Sequence, residues 1–294
     1  MGGCCSTAPG LRVDTFLRLD DLLPLTCSRA GTCCHGKAIF LNPWELACLA
    51  REKGCSAREF RDRFTVGGGV RLRMGASPLQ TCSQYAPSRG CSVYAGRPLA
   101  CRLFPLGRQR QGESVTYLHR GEAFPCLAGC PEVGALPRLS VAAFLEGQQV
   151  EAGEAAQDAY LELTLDLAEG ALVLLLEGGL AASGDRQTLP RWRSLGAVSD
   201  EARAAAVSGP ALDLLMLPGL EARQEAPAPF VAQHRLLLQA REESLAAPAS
   251  IPELRERCCE AMGLALCLGR AVGIDAAAVA QHWIAIAERN GAAR

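Results

Sequence analysis

Residues 25–36 read LTCSRAGTCCHG and crowd three cysteines, Cys27, Cys33 and Cys34, into one short stretch. Cysteines at this density either form disulfides or bind a metal. The chain has 15 cysteines, an odd number, and adjacent pairs such as Cys258–Cys259 fit disulfide geometry poorly. The start of the chain lacks the apolar run of a secretory signal peptide, so we expect a reducing, cytoplasmic location. These features predict a cysteine-ligated metal site.

Further cysteines follow in three short stretches: CSQYAPSRGC at 82–91, CRLFP from 101, and CLAGC at 126–130. Zinc takes four sulfur or nitrogen ligands, and an iron–sulfur cubane takes four thiolates. The eight candidate thiols can therefore form one cluster with spare cysteines, two sites, or one polynuclear site. The candidate metal ligands are Cys27, Cys33, Cys34, Cys82, Cys91, Cys101, Cys126 and Cys130.

Two arginines close to these cysteines, Arg97 and Arg102, are candidate cofactor-binding residues. Their charge offsets that of the thiolates, and guanidinium groups can donate hydrogen bonds to sulfur. His35 follows the cysteine pair and is a further candidate ligand, although a structural histidine is the simpler interpretation. No Ser-His-Asp set or acid–base pair stands out, so the sequence predicts no catalytic residues. The remaining cysteines in helical patterns, such as Cys48 and Cys267, are expected to be small buried residues.

Three stretches resemble the YkgJ-type cysteine-cluster family: CSRAGTCCHGKAIFLNPWELACLA (27–50), CSQYAPSRGCSVYAGRPLACRLFPL (82–106) and CLAGC (126–130). The resemblance covers about residues 25–130 and implies a domain that chelates zinc or iron, with a CxxCxxCC-like signature. One departure is that residues 30–32 contain no cysteine. The cysteine pattern is also partly similar to that of flagellin lysine N-methylase, thought to be an S-adenosylmethionine-dependent iron–sulfur enzyme.

The number of thiols favours iron–sulfur over zinc. Eight exceed what one zinc ion needs, and the adjacent Cys33–Cys34 pair serves two irons more easily than one tetrahedral ion. We therefore expect an iron–sulfur cluster, most simply [4Fe–4S], with zinc as the alternative. Three functions stay open: an iron–sulfur protein of unassigned role that binds a protein partner through its helical region, a cluster-dependent enzyme such as a protein lysine methylase, and a structural zinc module.

The rest of the chain has the composition of packed helices, with 49% hydrophobic and only 5% aromatic residues. NPWELACLAREKG begins with Asn42 as a helix cap and Glu45 as its capping-box partner, and Gly54 marks the end. SAREFRDRF repeats the signal from Ser56. TYLHR predicts a short strand. Four later stretches carry apolar residues at helical spacing: 154–178, 230–246, 252–273 and 275–291.

The predicted fold is mainly α, with a lead-in at 1–24, a small loop-rich cysteine-cluster metal-binding unit at 25–137 and an α-helical region at 138–294. No stretch has 18 uninterrupted apolar residues, so we expect no membrane span. Residues 1–130 hold 17 Lys and Arg against 9 Asp and Glu. These basic residues are dispersed and lack an aromatic nucleic-acid motif, so no nucleic-acid partner is expected. The composition, rich in Arg and Ala and poor in Lys, is typical of GC-rich bacterial genomes.

Overall fold

The computed structural model describes residues 14–28, 31–76, 78–87, 89–120, 127, 130–223, 226–245 and 247–293. Helices dominate and the strands are short, which confirms the mainly α prediction. The chain divides into two compact units. The first consists of Met1–Cys34 and Leu99–Val150, and the second of His35–Pro98 and Glu151–Arg294.

The elements are numbered in chain order. The strands are β1 (Asp14–Leu17), β2 (Leu22–Leu23), β3 (Thr65–Val66), β4 (Arg71–Leu72), β5 (Tyr85–Ala86), β6 (Gly90–Cys91), β7 (Gly107–Gln111), β8 (Ser114–Arg120) and β9 (Leu139–Ser140). The helices are α1 (Pro43–Lys53), α2 (Ala57–Phe64), α3 (Leu99–Leu103), α4 (Val141–Gln148), α5 (Glu151–Leu176), α6 (Thr188–Ala197), α7 (Asp200–Ala205), α8 (Gly209–Met216), α9 (Pro227–Ser244), α10 (Ile251–Ala271) and α11 (Ala276–Arg289).

The first unit contains a three-stranded antiparallel sheet of order β1–β8–β7. Asp14 lies opposite Arg120 and Leu17 opposite Tyr117, while a tight turn joins β7 to β8. A separate two-stranded ribbon pairs β2 with β9. Leu17 and Tyr117 pack against a small apolar core that holds α3, α4 and the sheet together; it comprises Leu25, Leu99, Leu103, Leu106, Val141, Phe144, Leu145 and Val150.

The second unit is built around α5 and α10, which pack along each other. The fully buried Trp192 of α6 lies in the same core cluster as residues of both helices. Small residues let α6 and α11 approach closely: a Cβ on Gly196 would lie 2.8 Å from the Cβ of Ala280. No helix in the described part of the chain is long and apolar enough to cross a membrane.

The two predicted capping boxes are present in the second unit. In α1, Asn42 Oδ1 accepts from the Glu45 backbone N–H at 2.9 Å, and Glu45 Oε2 accepts from the Asn42 N–H at 3.1 Å. The side chains of Ser56 and Glu59 make the same exchange at the start of α2. Gly54 ends α1 in the left-handed conformation at φ 72°. These local signals fix both helix ends because each satisfies backbone groups that the helix leaves unpaired.

α1 is anchored to the helical part of the second unit through backbone carbonyls. Trp44 Nε1 donates to the carbonyl of Arg223 at 3.1 Å, and Arg51 Nη1 donates to that of Ala222 at 2.7 Å. In α2, Arg58 forms an ion pair with Asp213 of α8 at 2.8 Å. The cysteine-rich segment 35–98 is therefore built on the C-terminal helices.

Candidate metal centre

In the first unit, Cys33 and Cys34 lie in a single 3-10 turn, Thr32–Cys34. The Cys34 N–H donates to the carbonyl of Gly31 at 2.8 Å, and Gly31 itself has φ 79°. That left-handed conformation suits glycine, so the sequence GTCC is suited to this tight turn. Both thiols are half-buried, whereas Cys27 is exposed.

Cys101 is carried by the short helix α3. Its neighbours Leu99 and Leu103 belong to the apolar core of the first unit, and Cys101 is half-buried. Arg102 is buried, and its Nη1 donates to the carbonyl of Gln148 at the end of α4 at 2.9 Å. Cys130 is buried just before a 3-10 turn, and Cys126 lies outside the described residues.

In the second unit, Cys82 and Cys91 lie on one small hairpin. The backbone N–H of Gln84 donates to the Sγ of Cys82 at 3.5 Å. Cys91 lies in β6, directly opposite Tyr85 of β5. Gln84 is only 2% exposed, so the turn that delivers its N–H to sulfur is packed into the protein. A donor aimed at sulfur is the contact that stabilises a thiolate.

His35 contacts the same hairpin. Its Nδ1 lies 3.0 Å from Thr81 Oγ1, and its ring meets the ring of Tyr85 edge-on with centroids 5.0 Å apart. The backbone of His35 also forms an antiparallel bridge with Thr81. Sequence spacing gave no signal for these contacts, since 46 residues separate His35 from Thr81.

Two cations lie on segments that carry the cysteines of the second unit. Lys53 Nζ donates to Ser92 Oγ, next to Cys91, at 3.1 Å. The Arg97 guanidinium stacks 3.7 Å above the ring of Tyr94, and its Nε donates to the Tyr94 carbonyl at 3.0 Å. The roles predicted for Arg97 and Arg102 as cofactor-binding residues stay predictions.

The cysteines of the long helices have a different environment. Cys258, Cys259 and Cys267 are buried in α10. Burial raises the pKa of all three thiols, to about 11 for Cys259 and to about 12 for Cys267. Cys258 donates a hydrogen bond to the carbonyl of Ala171 at 3.3 Å, as a neutral thiol does. These residues behave as small apolar side chains of the helix core.

Within the described ranges, no three His, Cys, Asp or Glu side chains form a group that could hold a metal ion. The candidate ligands are distributed over both units. Cys27, Cys33, Cys34, Cys101 and Cys130 belong to the first unit and Cys82 and Cys91 to the second.

Comparison with protein families finds a match in the part of the chain that carries most of these cysteines. Residues 26–118 match the family CxxCxxCC, described as "Putative zinc- or iron-chelating domain". Six of the eight candidate cysteines fall inside this range, whereas Cys126 and Cys130 fall outside it. The match supports cysteine-based binding of zinc or iron without separating the two metals. Comparisons with curated proteins and with solved structures give no significant match. The similarity to flagellin lysine N-methylase stays a prediction.

Proposed function

We propose that this protein binds an iron–sulfur cluster through cysteines of the matched domain. The observation that carries the proposal is the contrast between two groups of cysteines. Those in turns and short elements of the matched domain, such as Cys33, Cys82 and Cys101, are half-buried. Those in α10 are buried, and burial holds them as neutral thiols. Only the first group suits a metal, because the ligand is the thiolate.

The contact at Cys82 supports this division. Its sulfur accepts the backbone N–H of Gln84, two residues further along the chain. Hydrogen bonds of this kind orient a ligating sulfur and stabilise its negative charge. The opposite arrangement exists at Cys258, where the thiol donates to a carbonyl. The Cys82 sulfur is therefore chemically suited to bind a metal as a thiolate.

Two features favour iron–sulfur over zinc. The six candidate cysteines inside the matched range exceed the four ligands of one zinc ion. Cys33 and Cys34 also share one 3-10 turn, in which adjacent side chains point in different directions. Such a pair reaches two metal atoms more easily than one. When bound, an iron–sulfur cluster supplies one-electron transfer, with a potential set by hydrogen bonds to sulfur and by solvent exposure.

Zinc is the second candidate because the description of the family names it beside iron. A zinc ion would serve a structural role. The hairpin 82–91 is short, and its Cys82 and Cys91 are only half-buried. Segments with so little apolar burial gain stability from a bound metal.

Anaerobic purification followed by iron, zinc and acid-labile sulfide analysis separates the two candidates. The iron–sulfur proposal predicts iron and sulfide in similar amounts and a brown protein that absorbs visible light. Colourless protein with one equivalent or more of zinc and no sulfide would show that the bound metal is zinc. The proposed cysteine ligands would then stay the same. Protein that contains neither metal, and binds neither on reconstitution, would contradict the proposed function as a whole.

A further inference from the structure

His35 has a set of contacts that the cysteine motif does not explain. The histidine directly follows Cys34 in the chain, but its side chain contacts the hairpin that carries Cys82 and Cys91. Nδ1 reaches Thr81 Oγ1 at 3.0 Å, and the half-buried ring meets Tyr85 edge-on. Thr81 precedes Cys82, and Tyr85 lies opposite Cys91.

The backbone around Cys82 is paired on both sides. On one side, the Gly36 N–H donates to the carbonyl of Gln80 at 3.1 Å, next to the bridge between His35 and Thr81. On the other side, the Ser83 N–H donates to the carbonyl of Arg73 at 3.0 Å. The segment that contains Cys82 therefore lies between two others: residues 35–36 on one side and residues 73–74 on the other. On the side of residues 35–36, the His35 side chain adds a second contact, between its ring nitrogen and the Thr81 hydroxyl.

We propose that His35 is a positioning residue for the metal centre, acting through Thr81 and Tyr85 on the hairpin of Cys82 and Cys91. The inference rests on the proposed function, since it assigns a role toward the same metal. A ligand-bearing hairpin this short has few apolar contacts of its own, so a side chain that holds its first arm at Thr81 and Tyr85, on either side of Cys82, limits local opening. Outer contacts that orient metal ligands typically contribute about 10- to 100-fold to metal retention.

The test measures how fast the metal-loaded full-length protein loses its metal to an excess of chelator. His35→Phe keeps an aromatic edge for Tyr85 but removes the ring nitrogen that contacts Thr81. We expect it to lose metal about 10-fold faster or more than wild type. Thr81→Val removes the other partner and should have the same effect. The double variant should be little worse than either single variant, because both remove one interaction.

Conservative variants separate this role from a general loss of stability. His35→Asn places an amide close to the position of Nδ1, and Thr81→Ser keeps the hydroxyl, so both should retain metal at close to the wild-type rate. His282→Phe is the matched control: His282 is an exposed histidine of α11 whose ring contacts Trp283. It should also behave as wild type.

The outcomes distinguish this inference from the function on which it rests. Wild-type protein that binds no metal would overturn the proposed function and the inference together. Metal-loaded wild type with unchanged release from His35→Phe and Thr81→Val would overturn the inference alone. Equal acceleration by His35→Asn, or by His282→Phe, would also overturn it, because the effect would not depend on the His35–Thr81 contact.

Discussion

Tyr160 and His234 form a hydrogen bond between two fully buried side chains, with the Tyr160 hydroxyl 3.0 Å from His234 Nδ1. The other ring nitrogen, Nε2, lies 3.1 Å from the carbonyl of Leu214. A carbonyl only accepts, so Nε2 carries a proton. Burial lowers the pKa of His234 to about 4, so the ring carries no second proton at neutral pH and Nδ1 accepts from the tyrosine hydroxyl. The imidazole is therefore neutral, and it links α5, α8 and α9 inside the second unit.

Acid should destabilise the protein through His234. Burial lowers the pKa of His234 to about 4 in the folded protein, against an ordinary value of 6.5. The folded state thus prefers the neutral ring, and its stability is fully present above pH 6.5. As the pH falls from 6.5 to about 4, the unfolded chain takes up the proton first, so up to roughly 3 kcal/mol is lost.

Urea unfolding of His234→Gln measures this contribution. Its free energy of unfolding should fall less steeply between pH 6.5 and 4 than that of wild type. The exposed His282 offers the matched control, since His282→Gln should keep the wild-type slope. Equal slopes for wild type and His234→Gln would show that His234 does not carry the dependence.

Removal of the Tyr160 hydroxyl should also destabilise the core. Tyr160→Phe leaves His234 Nδ1 buried without its donor, which typically costs about 1–3 kcal/mol. Chemical denaturation of the two proteins at pH 7 gives the difference. A loss well below about 0.5 kcal/mol, on the scale of an exposed substitution, would mean that the bond is absent or replaced by water.

Two glycines of the second unit should respond to alanine in opposite directions. At Gly196, a new Cβ would meet the Cβ of Ala280 at 2.8 Å and the carbonyl oxygen of Ala276 at 3.1 Å. Gly196→Ala should push α6 from α11 and destabilise by about 1–3 kcal/mol. Gly170 lies inside α5, and a Cβ added there would meet nothing within 4 Å beyond the adjacent backbone of its own helix, so Gly170→Ala should stabilise by about 0.5–1 kcal/mol. Melting temperatures that shift in the same direction would contradict this packing.

The cysteines should divide into two classes of reactivity once the protein is free of metal. Cys82 and Cys91 are half-buried, while burial holds the pKa of Cys259 at about 11. At pH 8 we expect iodoacetamide to label the first two on the order of 100-fold faster than Cys259 or Cys267. Mass spectrometry of native protein over time provides the rates. Comparable labelling of Cys267 without unfolding would contradict its burial in α10.

Local features of the fold were predictable from the sequence because their causes are local. The capping boxes that begin with Asn42 and Ser56, and the end of α1 at Gly54, depend on residues within one or two turns. The strand TYLHR lies within β8, and the apolar periodicities became α5, α9, α10 and α11. The helix ends follow from the need to pair backbone hydrogen-bonding groups, and the helices follow from apolar faces that must be buried.

Long-range pairings were not predictable in the same way. Nothing near Asp14 indicates that β1 pairs with β8, whose Arg120 lies over a hundred residues away. The same holds for the contact of His35 with Thr81 and for the Gln84 N–H that reaches Cys82. The cysteines themselves were enough to predict sulfur ligands, because the type of donor atom depends only on residue identity. The contacts beside Cys82, which we propose orient a metal ligand, depend on packing between distant segments.

Turn and hairpin cysteines of the matched domain, rather than those of the helix core, are proposed to hold the metal. The decisive measurement is the metal content per chain of Cys82→Ser compared with that of Cys267→Ser. Both substitutions replace sulfur by oxygen, and the two proteins are purified anaerobically side by side with wild type. We expect Cys82→Ser to lose most of its metal and Cys267→Ser to keep the wild-type amount. Full metal content in Cys82→Ser, or metal lost only from Cys267→Ser, would contradict this assignment of the ligands.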